Sequence, residues 1–429
     1  MRYLAPDYVY TPQGLQAHKI ISLSDTGIIT AIHDRAPHSE ITDPLPHVAL
    51  LPGFVNVHSH AFQRALRGHT HRPIAPHATF WTWRQAMYAQ AQRLNPDSLY
   101  RVAYQTYREM LAAGYTSVGE FHYVHHQPDG RPYAAPNAMA EAIIQAGDEA
   151  GIRVVLLLSA YAQGGFNQPP DVLQRRFCDA SIGAYLARAE ALRVTGRSMG
   201  VAPHSVRAVP ERWLREIAAY SQTYQLPLHV HADEQPAEIE QCQAAYGCTP
   251  IELLDRCDAL GPHTTIVHAT HASAPEIALL AQRQCTVCVC PTTEGDLGDG
   301  IAPYAEFVAA GIPLAIGSDS NTRLDPIEEL RWAEYTARMR HQRRRILVAD
   351  DRTAPGPLLL AYGTCYGAAA LGLQTGSLAP GMAADMIAID LDAPSLAGWT
   401  ADDLLDTVFF GSSAQIIVQT WVQGKKVWP

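Results

Sequence analysis

From residue 54 to residue 318 the chain repeats one pattern: a short apolar run, then a longer segment with apolar residues at helical spacing. The runs fall at 54–60, 116–123, 153–161, 199–206, 226–232, 264–270, 285–290 and 313–318. The segments between them include 98–113, 138–150, 210–224, 274–283 and 301–310. Their apolar positions recur three and four residues apart, the period of a helix with one buried face. Gly114, Gly151 and Gly311 follow three of these segments, where a helix commonly stops. Eight such alternations predict an α/β fold, a (β/α)8 TIM-like barrel. An open, doubly wound sheet is the competing reading. It lacks support, because no Gly-x-Gly-x-x-Gly or phosphate-loop motif marks a nucleotide site.

The chain ends read differently. Short strand-like pieces at 7–10, 19–22 and 27–32 are separated by Gly- and Asp-containing turns, and the pattern returns at 386–391 and 416–427. Residues 1–49 and 374–429 are therefore expected to join into a small β-sandwich beside a catalytic barrel spanning 50–373. Residues 61–95 form a long connection after the first barrel strand, containing Phe80-Trp81-Thr82-Trp83-Arg84. A connection of that length reads as a functional loop or lid.

Composition narrows the function. Of 429 residues, 47% are hydrophobic, enough for a large core, yet no apolar run is long enough to span a bilayer. The start, Met-Arg-Tyr-Leu-Ala-Pro-Asp, lacks a signal-peptide core, so a soluble, cytoplasmic protein is expected. The formal charge of −10 and the absence of a basic tract argue against nucleic acid and membrane partners. An anionic substrate would need locally placed arginines. The eight cysteines are expected to be reduced thiols, and Cys285-Thr-Val-Cys288-Val-Cys290 reads as core packing rather than a metal site.

In a barrel of this kind the chemistry lies at the C-terminal ends of the strands. The first strand ends in His58 and His60, two apart and so on one face, where two imidazoles can share a divalent ion. The fifth ends in His229, His231 and Glu234, the sixth in His268 and His271, and the eighth in Asp319. Any one of these alone reads as a satisfied core histidine or a surface acid. Four strand ends delivering such groups together point to a metal site. His231 is favoured over His229 because it lies nearer the strand end and three residues before Glu234; His229 reads as a core or supporting group.

The segments Pro52-Gly-Phe-Val-Asn-Val-His-Ser-His60, His231-x-x-Glu234, His268, Ser318-Asp-Ser320 and Leu378-Ala-Pro-Gly-Met-Ala-Ala-Asp385 resemble the amidohydrolase superfamily over essentially the whole chain. Within it, His60-Ala-Phe-Gln-Arg-Ala-Leu-Arg-Gly68, Trp81-Thr-Trp-Arg84, Pro291-Thr-Thr-Glu-Gly-Asp-Leu-Gly-Asp-Gly300 and Glu328-Glu-Leu-Arg-Trp332 are most similar to the formimidoylglutamate deiminase family. The resemblance implies one divalent metal ion, zinc in the first reading and iron in the second, held by His58, His60, His231 and Asp319. A single ion also agrees with the lysine count. Two-metal relatives bridge their ions with a barrel lysine, and here the only lysines are Lys19, Lys425 and Lys426.

The reaction so implied is attack of metal-activated water on the formimino carbon of N-formimidoyl-L-glutamate, releasing ammonia and N-formyl-L-glutamate. Glu234 would shuttle the proton, with His268 and Asp319 steering the attack. The resemblance further implies Arg84 and Arg207 as carboxylate-binding groups, with Gln63, Tyr123 and His204 as other contacts. It implies a small dicarboxylate substrate and a homodimer. His122, His125 and His126 are read as supporting or solvent-facing. Asn321 stands where many close relatives are expected to carry histidine, and Asp233 makes the fifth strand end unusually acidic. Rival readings are another deaminase or hydrolase of the superfamily, acting on guanine, a purine nucleoside derivative or imidazolonepropionate, and a barrel that serves only as an assembly scaffold.

Overall fold

Eight parallel strands pair in chain order: Phe54–Ser59, Tyr115–His122, Arg153–Ala160, Met199–Pro203, Leu228–Ala232, Thr264–His268, Thr286–Val289 and Leu314–Ile316. The computed structural model describes residues 2–34, 43–71, 79–348 and 353–429. The sheet curls until its first and last strands meet. The His60 N–H donates to the Asp319 carbonyl at 2.9 Å, and the Asp319 N–H to the His58 carbonyl at 2.9 Å. Closure therefore runs through three of the candidate metal ligands. The strands are buried on both faces, which is why they read as continuous apolar runs rather than alternating ones.

Helices cover the barrel where the period predicts, among them Pro96–Ala112, Ala138–Ala150, Glu211–Tyr224 and Ala274–Gln282. Gly151 ends the second of these at φ +89°, a left-handed cap that glycine adopts without steric cost. One expectation needs correction. Much of the connection after the first strand is helix, not loop: Phe80–Ala91 is α-helical. The Thr79 and Thr82 side chains cap its start reciprocally, and Phe80, Met87, Tyr88 and Ala91 form its buried face. Residues 72–78 of that connection lie outside the described residues.

Both chain ends enter a second, eight-stranded sheet. Met386–Asp390 pairs antiparallel with Asp43–Pro52, which pairs parallel with Arg2–Thr11; the other pairings are antiparallel. Leu4, Val9, Ile21, Leu50, Met386 and Trp421 belong to its separate core. The sheet is anchored to the barrel by the Arg153–Asp385 ion pair and by a 2.9 Å hydrogen bond from the Thr420 hydroxyl to the Leu111 carbonyl. At Gly114, φ is +89°, a left-handed conformation that glycine adopts without steric cost, and a Cβ there would displace the end of the Ile417 side chain, 2.6 Å away. All eight cysteines are free thiols. No helix among the described residues is long and apolar enough to cross a membrane.

Candidate active site

The strand ends bring His58, His60, His231 and Asp319 together, all buried, with one ligand atom from each within 4.8 Å of the others. Hydrogen bonds on the far side of two rings set their tautomers. His60 Nδ1–H donates to the Phe121 carbonyl at 2.8 Å, and His231 Nδ1–H to the His204 carbonyl at 2.9 Å. Each ring thus turns its Nε2 lone pair inward. His58 Nε2 lies 3.2 Å from His60 Nε2 and 3.1 Å from His231 Nε2, and Asp319 Oδ1 sits 3.2 Å from His60 Nε2. One shared proton cannot bridge all of these contacts. A divalent cation answers every lone pair at once, and three imidazoles with one carboxylate are a zinc-type donor set. Burial pushes the His58 pKa down to about 3 and that of His231 well below its ordinary value, which keeps both rings neutral, as a ligand must be. Burial works against the Asp319 carboxylate, but the adjoining His58 and His60 imidazoles hold its pKa well below the ordinary range.

Asp319, His268, Asp233 and Asn321 all have positive φ, at +45°, +73°, +54° and +57°. Such backbone is disfavoured for these residues by about 1–3 kcal/mol each and persists where the surroundings enforce it, commonly at functional sites. His268 Nδ1–H donates to Glu294 Oε1 at 3.3 Å, which turns Nε2 towards Glu234 Oε1 at 3.6 Å and Asp319 Oδ2 at 3.8 Å. Burial disfavours a charged His268, yet the carboxylates of Glu234, Glu294 and Asp319 raise its pKa well above the ordinary value. Burial raises Glu234, and His268 partly opposes the shift.

Gln63, Arg84, Tyr123, His204 and Arg207 line the same pocket as His60, His231, Glu234, His268 and Asp319. Gln63 Nε2 donates to the Tyr123 hydroxyl at 2.8 Å. His204 stacks on His231 with ring centroids 4.9 Å apart. Arg84 projects from the helix Phe80–Ala91, and Arg207 from the connection after the fourth strand. Both guanidinium carbons approach the Trp81 ring, at 5.3 Å and 5.8 Å from its centroid. Neither arginine has a carboxylate within salt-bridge distance among the described residues, although Arg207 is buried. Two cations beside one aromatic ring, neither in an ion pair among the described residues, leave positive charge on this wall of the pocket.

The remaining candidates fall elsewhere. His229 Nε2 bonds the Ala370 carbonyl at 3.1 Å, and His271 Nε2 the Asp299 carbonyl at 2.9 Å. Asn321 accepts from the Ser318 hydroxyl at 2.6 Å and donates to Ser59 Oγ at 3.1 Å, so it ties the first and eighth strand ends together. Asp233 is buried and pushed well up by burial and the nearby Glu276 carboxylate. A solvent-facing reading of His122, His125 and His126 is corrected: all three are buried. Strand alternation explains it. Phe121 packs on His58, His60 and His231, so His122 must face the helix layer. There His125 bonds the Ser159 carbonyl at 2.7 Å and His126 lies 3.5 Å from Asp179.

Two carboxylates escaped the sequence reading. Glu294 braces His268 and also accepts from the Cys290 N–H at 2.9 Å. Its position in the first turn after the seventh strand was a usable signal. Glu120 accepts from the Ala61 N–H at 2.7 Å and the Ser59 hydroxyl at 2.9 Å, fixing the turn that follows His60; burial raises its pKa to about 7. Cys285 and Cys288 pack in the core as expected, and Cys290 stands beside His268 and Glu294.

The chain matches the Amidohydrolase family over residues 49–427. It is 40% identical to formimidoylglutamate deiminase from Pseudomonas aeruginosa, over 97% of this chain and 92% of that protein. With 8-oxoguanine deaminase from the same organism the identity is 28%, over 96% of this chain and 92% of that protein. The crystal structure of an amidohydrolase from Brucella melitensis superposes with a TM-score of 0.90 at 33% identity, covering 99% of this chain and 94% of the other.

Proposed function

Because this chain belongs to the amidohydrolase family, we propose that it hydrolyses the formimino group of N-formimidoyl-L-glutamate, giving N-formyl-L-glutamate and ammonia. The observation that carries this reading is the pair of arginines without a carboxylate partner, Arg84 and Arg207, in the same pocket as the histidine–aspartate cluster. Burying a guanidinium without a counterion is costly, and the cost is recovered when a ligand brings the anion. A neutral purine offers no such partner, whereas glutamate offers two carboxylates. The likeness to a formimidoylglutamate deiminase at 40% identity, against 28% for a purine-base deaminase, supports the same choice.

His58, His60, His231 and Asp319 would hold one divalent ion, and zinc suits the donor set. The ion's contribution is to lower the pKa of a water to about 7, so that a nucleophile is present at neutral pH. The protein does the rest. Glu234, its pKa raised by burial, takes a proton from the attacking water and passes it to the departing nitrogen. His268 Nε2, held towards Glu234 and Asp319 by the Glu294 brace, is placed to donate to the attacking oxygen and direct it to the formimino carbon. The arginines hold the carboxylates so that this carbon alone lies near the proton-shuttling group. The net change is replacement of the formimino C=N bond by a C=O bond, with one water consumed and ammonia released. We further propose a cytoplasmic enzyme that works as a homodimer on this small dicarboxylate, with no nucleic-acid or membrane partner.

Ammonia release from N-formimidoyl-L-glutamate by the purified protein tests the reading. Turnover that chelator abolishes and zinc restores is expected. Faster deamination of guanine than of formimidoylglutamate would move the activity to another deaminase class.

A further inference from the structure

Arg84 does not hang freely over the pocket. Its Nε–H donates to the Tyr88 hydroxyl at 2.5 Å, and the Tyr88 and Tyr161 hydroxyls lie 3.2 Å apart. Gln174 completes the group. Its Nε2 stands 3.2 Å from the Tyr88 hydroxyl, 3.0 Å from the Tyr161 hydroxyl and 3.3 Å from the Gly164 carbonyl. The orientation of that amide is fixed by the backbone, because the Asp171 N–H donates to Gln174 Oε1 at 2.9 Å and the Gln174 N–H returns a bond to Asp171 Oδ1 at 2.9 Å. The donor end must therefore face the two phenols. Tyr88, Tyr161 and Gln174 are all buried.

The hydrogen-bond count gives the group a direction. Tyr88 oxygen accepts from Arg84 and from Gln174, which occupies both lone pairs and leaves its own proton for Tyr161. Arg84 spends its Nε–H on Tyr88 and one Nη2–H on a long 3.5 Å contact to Gly164. Its Nη1 group has no acceptor among the described residues. A guanidinium tied at one edge, with the opposite corner unpaired, is a preorganised fork for one carboxylate.

We propose that Gln174, through Tyr88 and Tyr161, is a positioning residue that sets the Arg84 fork for one carboxylate of the substrate. This inference rests on the proposed activity and deepens it. The helix Phe80–Ala91 supplies Arg84 and Tyr88, while the segment that follows the third strand supplies Tyr161 and Gln174. Carboxylate affinity would thus depend on a contact between two separate parts of the pocket rim.

The test uses the full-length, metal-loaded enzyme. Tyr161→Phe removes one hydroxyl at constant ring size, and Gln174→Glu keeps the acceptor for the Asp171 N–H while replacing the donor. Each should raise KM for N-formimidoyl-L-glutamate about tenfold, the scale of one hydrogen bond in a charged network, while kcat stays within about threefold and metal content stays that of the parent. In the Arg84→Met background, Tyr161→Phe should add no further loss, because the group it serves is gone. An unchanged KM in Tyr161→Phe, or a full additional loss on top of Arg84→Met, would overturn the inference and leave the proposed activity standing, since the parent would still turn over formimidoylglutamate. A parent without that turnover would overturn both.

Discussion

Two walls of one pocket are built in different ways. The wall of His58, His60, His231, His268 and Asp319 stands on barrel strand ends: the Phe121 and His204 carbonyls fix two of its rings, the Glu294 carboxylate holds His268, and the Asp319 backbone closes the barrel. The facing wall of Arg84 and Arg207 stands on a helix and a connection, with Arg84 tied to other side chains through Tyr88. Backbone tethers on a closed sheet give little room for adjustment, and four residues at positive φ mark the strain held there. Side-chain tethers can be exchanged by substitution without disturbing the sheet. The first wall is suited to chemistry that needs fixed geometry, the second to substrate choice, where one fold serves many molecules by changing its loops.

Breaking the strand wall should have the largest effect. Asp319→Ala removes a ligand from a site that closes the sheet, so metal and activity should disappear together in elemental analysis and ammonia assay. Activity retained without metal would refute the ligand assignment. Next comes Glu234→Gln, expected to keep its metal while kcat falls by at least ~100-fold, the lower end for general acid–base catalysis. A near-normal kcat would remove Glu234 from that role. On the other wall, Arg84→Met and Arg207→Met should leave the metal in place and each cost about 2–5 kcal/mol in kcat/KM, mostly through KM, as expected for breaking one side of a desolvated charge pair. Equal losses on an uncharged formimino compound would show that the arginines support structure rather than carboxylates.

The smallest expected effect is in the pH profile. Glu234 must be ionised to take a proton, and burial raises its pKa. Activity should therefore be lost as pH falls through a value above the ordinary carboxylate range, and be fully present at higher pH on that limb. An acid limb at the ordinary carboxylate value would contradict a buried base.

The same contrast explains what was legible in the sequence. Candidate ligands on strand ends come with a local signature, because two-residue spacing on an apolar run puts His58 and His60 on one face, and Glu234 follows His231 by three. The barrel repeat was legible for the same reason. The helix Phe80–Ala91 was not, although Phe80, Met87, Tyr88 and Ala91 carry its spacing. Three aromatics within four residues and a threonine-only cap blur the helical stripe and its start. Tyr161 and Gln174 reach Arg84 only through Tyr88, more than seventy residues away in the chain, and no local spacing announces them; Glu294 offers just its place in the first turn after the seventh strand. The burial of His122 was readable from strand alternation once Phe121 was placed inward.

The claim that one wall reacts while the other selects carboxylates is tested most directly by comparing kcat/KM for N-formimidoyl-L-glutamate with that for the same molecule bearing two carboxamides. The formimino group is identical in both. The account predicts a large loss for the diamide, carried mainly by KM, and a ratio that collapses towards one in the Arg84→Met, Arg207→Met double variant. Equal kcat/KM for the two compounds with the parent enzyme would contradict it.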